Sequence, residues 1–205
     1  MKYIKTLILA ILAGLSISIG GIVFLSCDSK VVGALFFTIG LFTVCTFGFN
    51  LFTGKVCYAF DNKVSYIFDL IIIWLGNFIG SLVSGLLMRL TRVAPALIEK
   101  AASVCEAKMS GTLVSTFILG IFCNICIYIA VDGFKNNSHE IGKYLALVFG
   151  VVVFILSGFE HCIANMFYFS MAGIFSGKMF LFLIVNTLGN TFGGLLIPGL
   201  KKIIK

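Results

Sequence analysis

At 205 residues, with 60% hydrophobic and only 11% charged side chains, the chain is too apolar for a water-soluble domain, where about a quarter of residues carry charge. A mean hydropathy of +1.13, set against about 20 apolar residues per crossing, leaves room for about six helical spans and no soluble domain. The formal net charge of +7 lies between apolar runs and at the termini, not in a basic stripe interleaved with aromatics, which excludes nucleic acid as a partner.

In chain order, span 1 is predicted at 4–25. Lys2 and Lys5 precede it as in a signal peptide, but no A-x-A cleavage site follows, so it stays a span. Span 2 begins near 31 and is interrupted by Gly48-Phe49-Asn50 and Thr53-Gly54-Lys55. Span 3 covers 65–88, and the basic stretch 89–108 is read as an outer loop leading to span 4 at 109–131. Span 5 begins near 143 and carries Ser157, Gly158, Glu160, His161 and Asn165 at its middle; span 6 covers 179–200.

Polar groups and irregular backbone survive at membrane depth only where protein or a water-filled cavity satisfies them, so spans 2 and 5 are the expected pathway helices. Each is the second span of a three-span half. Gly76-Asn77-Phe78-Ile79-Gly80 in span 3 recurs as Gly189-Asn190-Thr191-Phe192-Gly193 in span 6. Three spans per half require the second copy to be inverted, an arrangement that places a site near the midplane. The expected fold is therefore all-α: a single membrane domain over 1–205, with inverted halves of about 1–92 and 93–205. Helix packing accounts for the paired glycines; it accounts less well for the paired asparagines, Asn77 and Asn190. The positive-inside rule favours cytoplasmic termini, with nine Lys/Arg inside (Lys2, Lys5, Lys55, Lys63, Lys135, Lys143, Lys201, Lys202, Lys205) against six outside.

His161 is the sharpest chemical feature. A histidine beside a helix break at membrane depth can donate a hydrogen bond or a proton to a passing anion; the competing reading is a packing residue. Glu160 adjoins it in sequence but points to another helix face, and is expected to cap freed backbone N–H groups or meet a neighbouring subunit, with Asn165 doing similar backbone work. Thr53 brings a hydroxyl that both donates and accepts, in the break of span 2. Lys108 either snorkels to the interface or attracts anions into a vestibule. Most of the seven cysteines are expected to act as small apolar side chains, and Cys123-x-x-Cys126 lacks the second ligand pair that zinc needs. No metal or cofactor is expected, and a pairing of Cys27 with Cys105 stays open.

Leu51-Phe52-Thr53-Gly54, Gly76-Asn77, Lys108 leading into Leu119-Gly120-Ile121-Phe122-Cys123-Asn124, and Gly158-Phe159-Glu160-His161 with Ala164-Asn165-Met166 together resemble the formate/nitrite transporter family. The likeness runs along almost the whole chain, and the G-F-E-H-x-x-A-N-M block is its most specific part. It implies an aquaporin-like fold, a pore in each subunit, and a homopentamer in the cell membrane. On that likeness His161 matches the central pore histidine, Thr53 the threonine of the interrupting loop, and Lys108 the vestibule lysine. Asn124 and Asn190 match pore-side asparagines, and Phe154, Phe52 and Leu41 match the hydrophobic constrictions. Three departures stand out. The amphipathic segment before span 1 is not seen, Asn50 stands where an acidic residue is common, and Lys55 stands where asparagine is common.

These readings converge on passage of a small monovalent weak-acid anion, formate first, then nitrite or hydrosulfide. The substrate partners are the anion and protons, and the chain sits in membrane lipid. A bare charge in an apolar slot is costly, whereas protonating a weak acid costs about 1.4 kcal/mol per pH unit above its pKa. Crossing as the neutral acid, after taking a proton from water or His161, is therefore the expected mechanism. The alternatives are an aquaporin-like neutral-solute pore, against which the lack of Asn-Pro-Ala boxes counts, and a membrane enzyme built on His161 and Glu160, for which no nucleophile–base pair is seen.

Overall fold

The structure, a computed structural model, describes residues 1–204; Lys205, counted above among the cytoplasmic basic residues, lies outside them. Among the described residues all regular structure is helical: α1 (Lys2–Ser26), α2 (Lys30–Phe47), α3 (Phe52–Val56), α4 (Tyr66–Met88), α5 (Ala94–Met109), α6 (Leu113–Asn136), α7 (Glu140–Leu156), α8 (Cys162–Ala172) and α9 (Gly177–Ile203), with a short 3₁₀ turn at Ala59–Asp61. α1, α2, α4, α6 and α9 are each long and apolar enough to cross a membrane, and α7 has 17 residues. The polarity is that of a membrane protein: asparagines and serines sit in the interior (Asn77, Asn124, Asn190, Ser18, Ser81), while Ile8, Leu35, Phe36, Ile71, Leu75, Ile184 and Leu188 face outward.

The expected breaks in spans 2 and 5 take a specific form. α2 runs its course and ends at Gly48, whose φ of +68° turns the chain back. Residues 48–51 then lead to the short α3. α7 likewise ends near Gly158 at φ +71°, and residues 157–161 lead to α8. Only glycine adopts this backbone readily. The hydrogen bonds repeat as well. Phe49 N–H donates to Val44 O (3.0 Å), as Phe159 N–H does to Phe154 O (2.9 Å); Asn50 N–H donates to Leu9 O (3.2 Å), as Glu160 N–H does to Leu119 O (3.3 Å). Gly48-Phe49-Asn50 and Gly158-Phe159-Glu160 are thus the same turn in the two halves.

Helix ends define two faces. α2 and α6 begin on the face that holds Lys108 and end on the face that holds Lys55, because Lys30 and Ser115 share one cavity with Lys108 while Gly48 and Val131 share another with Lys55. Lys202 Nζ reaches Phe60 O and Asn50 Nδ2 reaches Thr6 O, so the chain's first helix starts, and its last ends, toward the Lys55 face. α1 packs on α4 and α6 on α9, the corresponding pairs of the two halves. Close approach is literal there. A Cβ on Gly80 would strike the Ile11 carbonyl, and one on Gly193 the Ile121 carbonyl, so packing is confirmed as the use of these glycines.

The stretch 89–108, expected as a loop, is largely helix. Pro95 stands in the first turn of α5, and Ala94, Leu97, Ala101 and Cys105 form a buried stripe that packs on α8. Lys108 consequently lies in the last turn of α5, ahead of α6, and not at the start of the fourth span. Cys27 and Cys105 are free thiols, Cys105 being fully buried in that stripe.

Gly193→Ala is expected to destabilise the fold by about 1–3 kcal/mol, since the added methyl meets backbone that cannot yield. Gly177→Ala, where a Cβ meets nothing within 4 Å, serves as the control. Thermal unfolding of the purified protein in detergent should show a lower midpoint for the first variant and no drop for the second.

Candidate functional site

Two half-helices point their N-termini at one another inside the bundle. α3 begins at Phe52 and α8 at Cys162, so the N–H groups of both first turns, which have no carbonyl partner within their own helix, converge on the interior. Each N-terminus is tied down by an asparagine from the other member of the packed pair. Asn77 Oδ1 accepts from Phe52 N–H (2.8 Å), while its Nδ2 donates to Ala10 O (2.8 Å) and Asn50 O (2.9 Å). Asn190 Oδ1 accepts from Cys162 N–H (2.9 Å), and its Nδ2 donates to Gly120 O and Glu160 O (2.8 Å each). The two asparagines of the G-N-x-x-G motifs hold the two breaks by one scheme, which explains why amides, and not only glycines, recur.

Where the half-helices meet, Thr53 Oγ1 and His161 Nε2 lie 2.9 Å apart; Thr53 is 0% and His161 2% exposed. His161 Nδ1 accepts from Ala164 N–H at 3.1 Å, serving as the N-cap of α8. That bond assigns the proton of a neutral imidazole to Nε2, which donates to Thr53 Oγ1. The threonine hydroxyl is then left with its own hydrogen to offer elsewhere. Phe154 stacks on the imidazole with centroids 5.6 Å apart and meets Phe37 edge-on at 6.0 Å.

The backbone work expected of Glu160 falls instead to His161 and Asn190. The Glu160 carboxylate, 5% exposed, accepts from Lys108 Nζ at 2.7 Å and from Asn165 Nδ2 at 2.7 Å. Asn165 also donates to Asn186 Oδ1 (2.8 Å), and Asn186 Nδ2 donates to Glu160 O (2.7 Å). Such a pair, hydrogen-bonded on several sides, persists where a lone buried charge would not. Asn186 was not singled out in the sequence, although an asparagine one helical turn before Asn190 in an apolar run was a readable signal. Asn165 bonds side chains, not freed backbone.

Two cavities approach this centre from the two faces. One, of about 370 Å³, is lined by Lys30, Lys108, Ser115, Phe154, Glu160 and His161. The other, of about 860 Å³, is lined by Cys45, Leu51, Lys55, Tyr58, Asp132 and Lys135. Asn124 Nδ2 donates to Thr53 O at 3.0 Å, while its buried Oδ1 has no partner among the described residues. Of the three side chains assigned to constrictions, Phe154 lines the Lys108 cavity. Phe52 lines an apolar crevice beside α4 and α9, and Leu41 is a buried residue of α2. Leu51, the counterpart of His161 in the repeated turn, lines the Lys55 cavity and was not singled out.

The formate/nitrite transporter family profile matches residues 1–204. Among curated proteins the chain is 32% identical over 188 residues to the uncharacterized transporter YrhG of Bacillus subtilis, a match covering 84% of this chain and 70% of that protein. It is 29% identical over 153 residues to the formate channel FocA of Haemophilus influenzae (70% of this chain, 54% of that one) and 29% over 188 residues to FocA of Escherichia coli K12 (82% and 66%). The matches thus span about half to two thirds of the two formate channels. Among solved structures, a pentameric formate channel with formate bound superposes with a TM-score of 0.84 at 26% identity, covering 99% of this chain and 97% of that one. An ion channel of the same family gives 0.81 at 26% identity, covering 98% and 88%. With the inverted turns, the paired asparagines and the Thr53–His161 contact, the chain belongs to the formate/nitrite transporter family.

Proposed function

We propose that this chain is the subunit of a homopentameric channel for small monovalent weak-acid anions, formate foremost, with nitrite and hydrosulfide next, each subunit carrying its own pathway. The observation that carries this reading is that cavities from opposite faces approach the buried Thr53–His161 pair, one lined by His161 itself and the other by Leu51 and Gly54 around Thr53. The likeness to a pentameric channel with formate bound supports both the substrate and the assembly. The crossings are α1, α2, α4, α6, α7 and α9, with α3 and α8 re-entrant between inverted halves of a single domain. Both termini are placed in the cytoplasm of a cell-membrane protein, as the basic residues on the Lys55 face favour.

The geometry also divides the labour. Anions gather in the two vestibules, where cationic side chains raise their local concentration. The centre holds no uncompensated cation, so a bare anion there would lose hydration without replacement. Water in the vestibule supplies the proton, because His161 Nδ1 faces the Ala164 N–H and a second proton on that nitrogen would oppose it. The neutral acid then takes a hydrogen bond from the Thr53 hydroxyl and passes between Phe154 and the apolar wall around Leu51. Lys108, Glu160, Asn165 and Asn186 fix the backbone carbonyl before His161 and so the position of the imidazole.

Formate flux into proteoliposomes at fixed total concentration is expected to rise as pH falls, by up to about tenfold per unit while the pH stays well above the acid's own pKa. Chloride should pass poorly throughout, and equal flux of chloride and formate across the pH range would defeat the mechanism. His161→Phe keeps the ring stack with Phe154 but loses the bonds to Thr53 and Ala164. It is expected to abolish formate flux while the pentamer still elutes intact by size exclusion, and unchanged flux would reduce His161 to packing.

A further inference from the structure

The two vestibules differ in how their lysines are used. On one face Lys108 is held by Glu160 at 2.7 Å, so the ammonium and carboxylate offset each other, and Lys30 Nζ is bound to Leu156 O at 3.2 Å. On the other face the larger cavity is lined by Lys55 and Lys135 and by two aspartates, Asp61 and Asp132, each of which is met by a lysine of α9. Lys202 pairs with Asp61 at 2.8 Å and Lys201 with Asp132 at 3.8 Å. Lys55 and Lys135 both line the larger cavity, and neither takes part in any ion pair among the described residues.

The positions of these two lysines are fixed from below. Lys55 is half-buried in α3, two residues after Thr53, and its carbonyl accepts from the Tyr66 hydroxyl at 3.4 Å. Lys135, in the last turn of α6, has its ammonium 4.7 Å from the centre of the Tyr58 ring. That contact orients the cation without neutralising it. With both aspartates of the cavity already matched by Lys201 and Lys202, the cavity carries an uncompensated positive charge next to the break of α2–α3. Ammonium groups in a concave, partly apolar site attract anions more strongly than the same groups on an open surface.

We infer that Lys55 and Lys135 form an anion-binding site in the vestibule opposite Lys108, which takes a small monovalent oxyanion, carboxylate or nitrite, and holds it one step from Thr53. This rests on the reading of the pathway as one for such anions, and it assigns the stronger charge attraction to the Lys55 face.

Cys45 lines the same cavity as a half-buried thiol and provides a reporter independent of transport. In the full-length protein with the other half-buried thiols removed (Cys27→Ser, Cys126→Ala), Cys45 would be labelled in detergent by an anionic sulfonatoethyl and a cationic trimethylammonioethyl methanethiosulfonate. Intact mass would give each rate, scaled to that reagent's rate with a free thiol. The anionic reagent should react about tenfold faster than the cationic one. Sodium formate should slow it saturably, and Lys55→Asn with Lys135→Gln should erase the preference. Equal or cation-favouring rates in the parent, a preference unchanged in the double variant, slowing by formate no greater than by equal ionic strength of sodium sulfate, or no labelling by either reagent would each overturn the site. A protein that passes no formate in vesicles but shows the labelling pattern would sink the proposed function and leave the Lys55–Lys135 site standing.

Discussion

Reversing a helix inside a membrane exposes backbone groups that lipid cannot satisfy, and the architecture follows from how this chain meets that demand twice. At each reversal one asparagine side chain accepts from the first N–H of a half-helix and donates to two carbonyls, one in the turn and one in a crossing helix. Leaving such a buried group without a partner costs about 1–3 kcal/mol. Six such bonds across Asn77 and Asn190 therefore lock half-helices to full-length helices. The glycines around them let α4 approach α1, and α9 approach α6, closely enough for a short amide to reach. With both turns pinned, Thr53 and His161 lie within hydrogen-bond distance.

The halves share a scaffold and differ in what they hang on it. The repeated turn carries Asn50 in one half and Glu160 in the other, Leu51 in one and His161 in the other. The Asn50 side chain donates to Thr6 O, whereas the Glu160 carboxylate draws in Lys108 and Asn165. The polar network that positions the imidazole thus belongs to the second half, whereas the unpaired lysines of the larger cavity come one from each half, Lys55 from α3 and Lys135 from α6.

Much of this was legible in the sequence, and the gaps have physical reasons. Apolar windows pointed to the long helices, and the clash of Gly48-Phe49-Asn50 and Thr53-Gly54-Lys55 in span 2, and of Ser157, Gly158, Glu160, His161 and Asn165 in span 5, with continuous hydrophobicity pointed to the breaks. That these are one repeated turn was missed because asparagine and glutamate occupy the matching position; the shared Gly-Phe and the positive φ it serves were the available signal. α5 was read as a loop because a window average treats its charged face and its Leu97–Ala101–Cys105 stripe alike, although Pro95 and the three-to-four spacing pointed to a helix. Of the two roles expected of Glu160, backbone capping or contact with a neighbouring subunit, the first falls to His161 and Asn190, since one-dimensional spacing cannot show that Lys108, 52 residues away, folds over Glu160.

The choice of amides at the two pins has a bearing on durability. A scaffold pinned by carboxylates would loosen in acid as they took up protons. Asparagine does not titrate in that range. The bonds from Asn77 and Asn190 therefore keep their donors and acceptors unchanged as pH changes on either face, so the frame that holds the two half-helices is insensitive to acid.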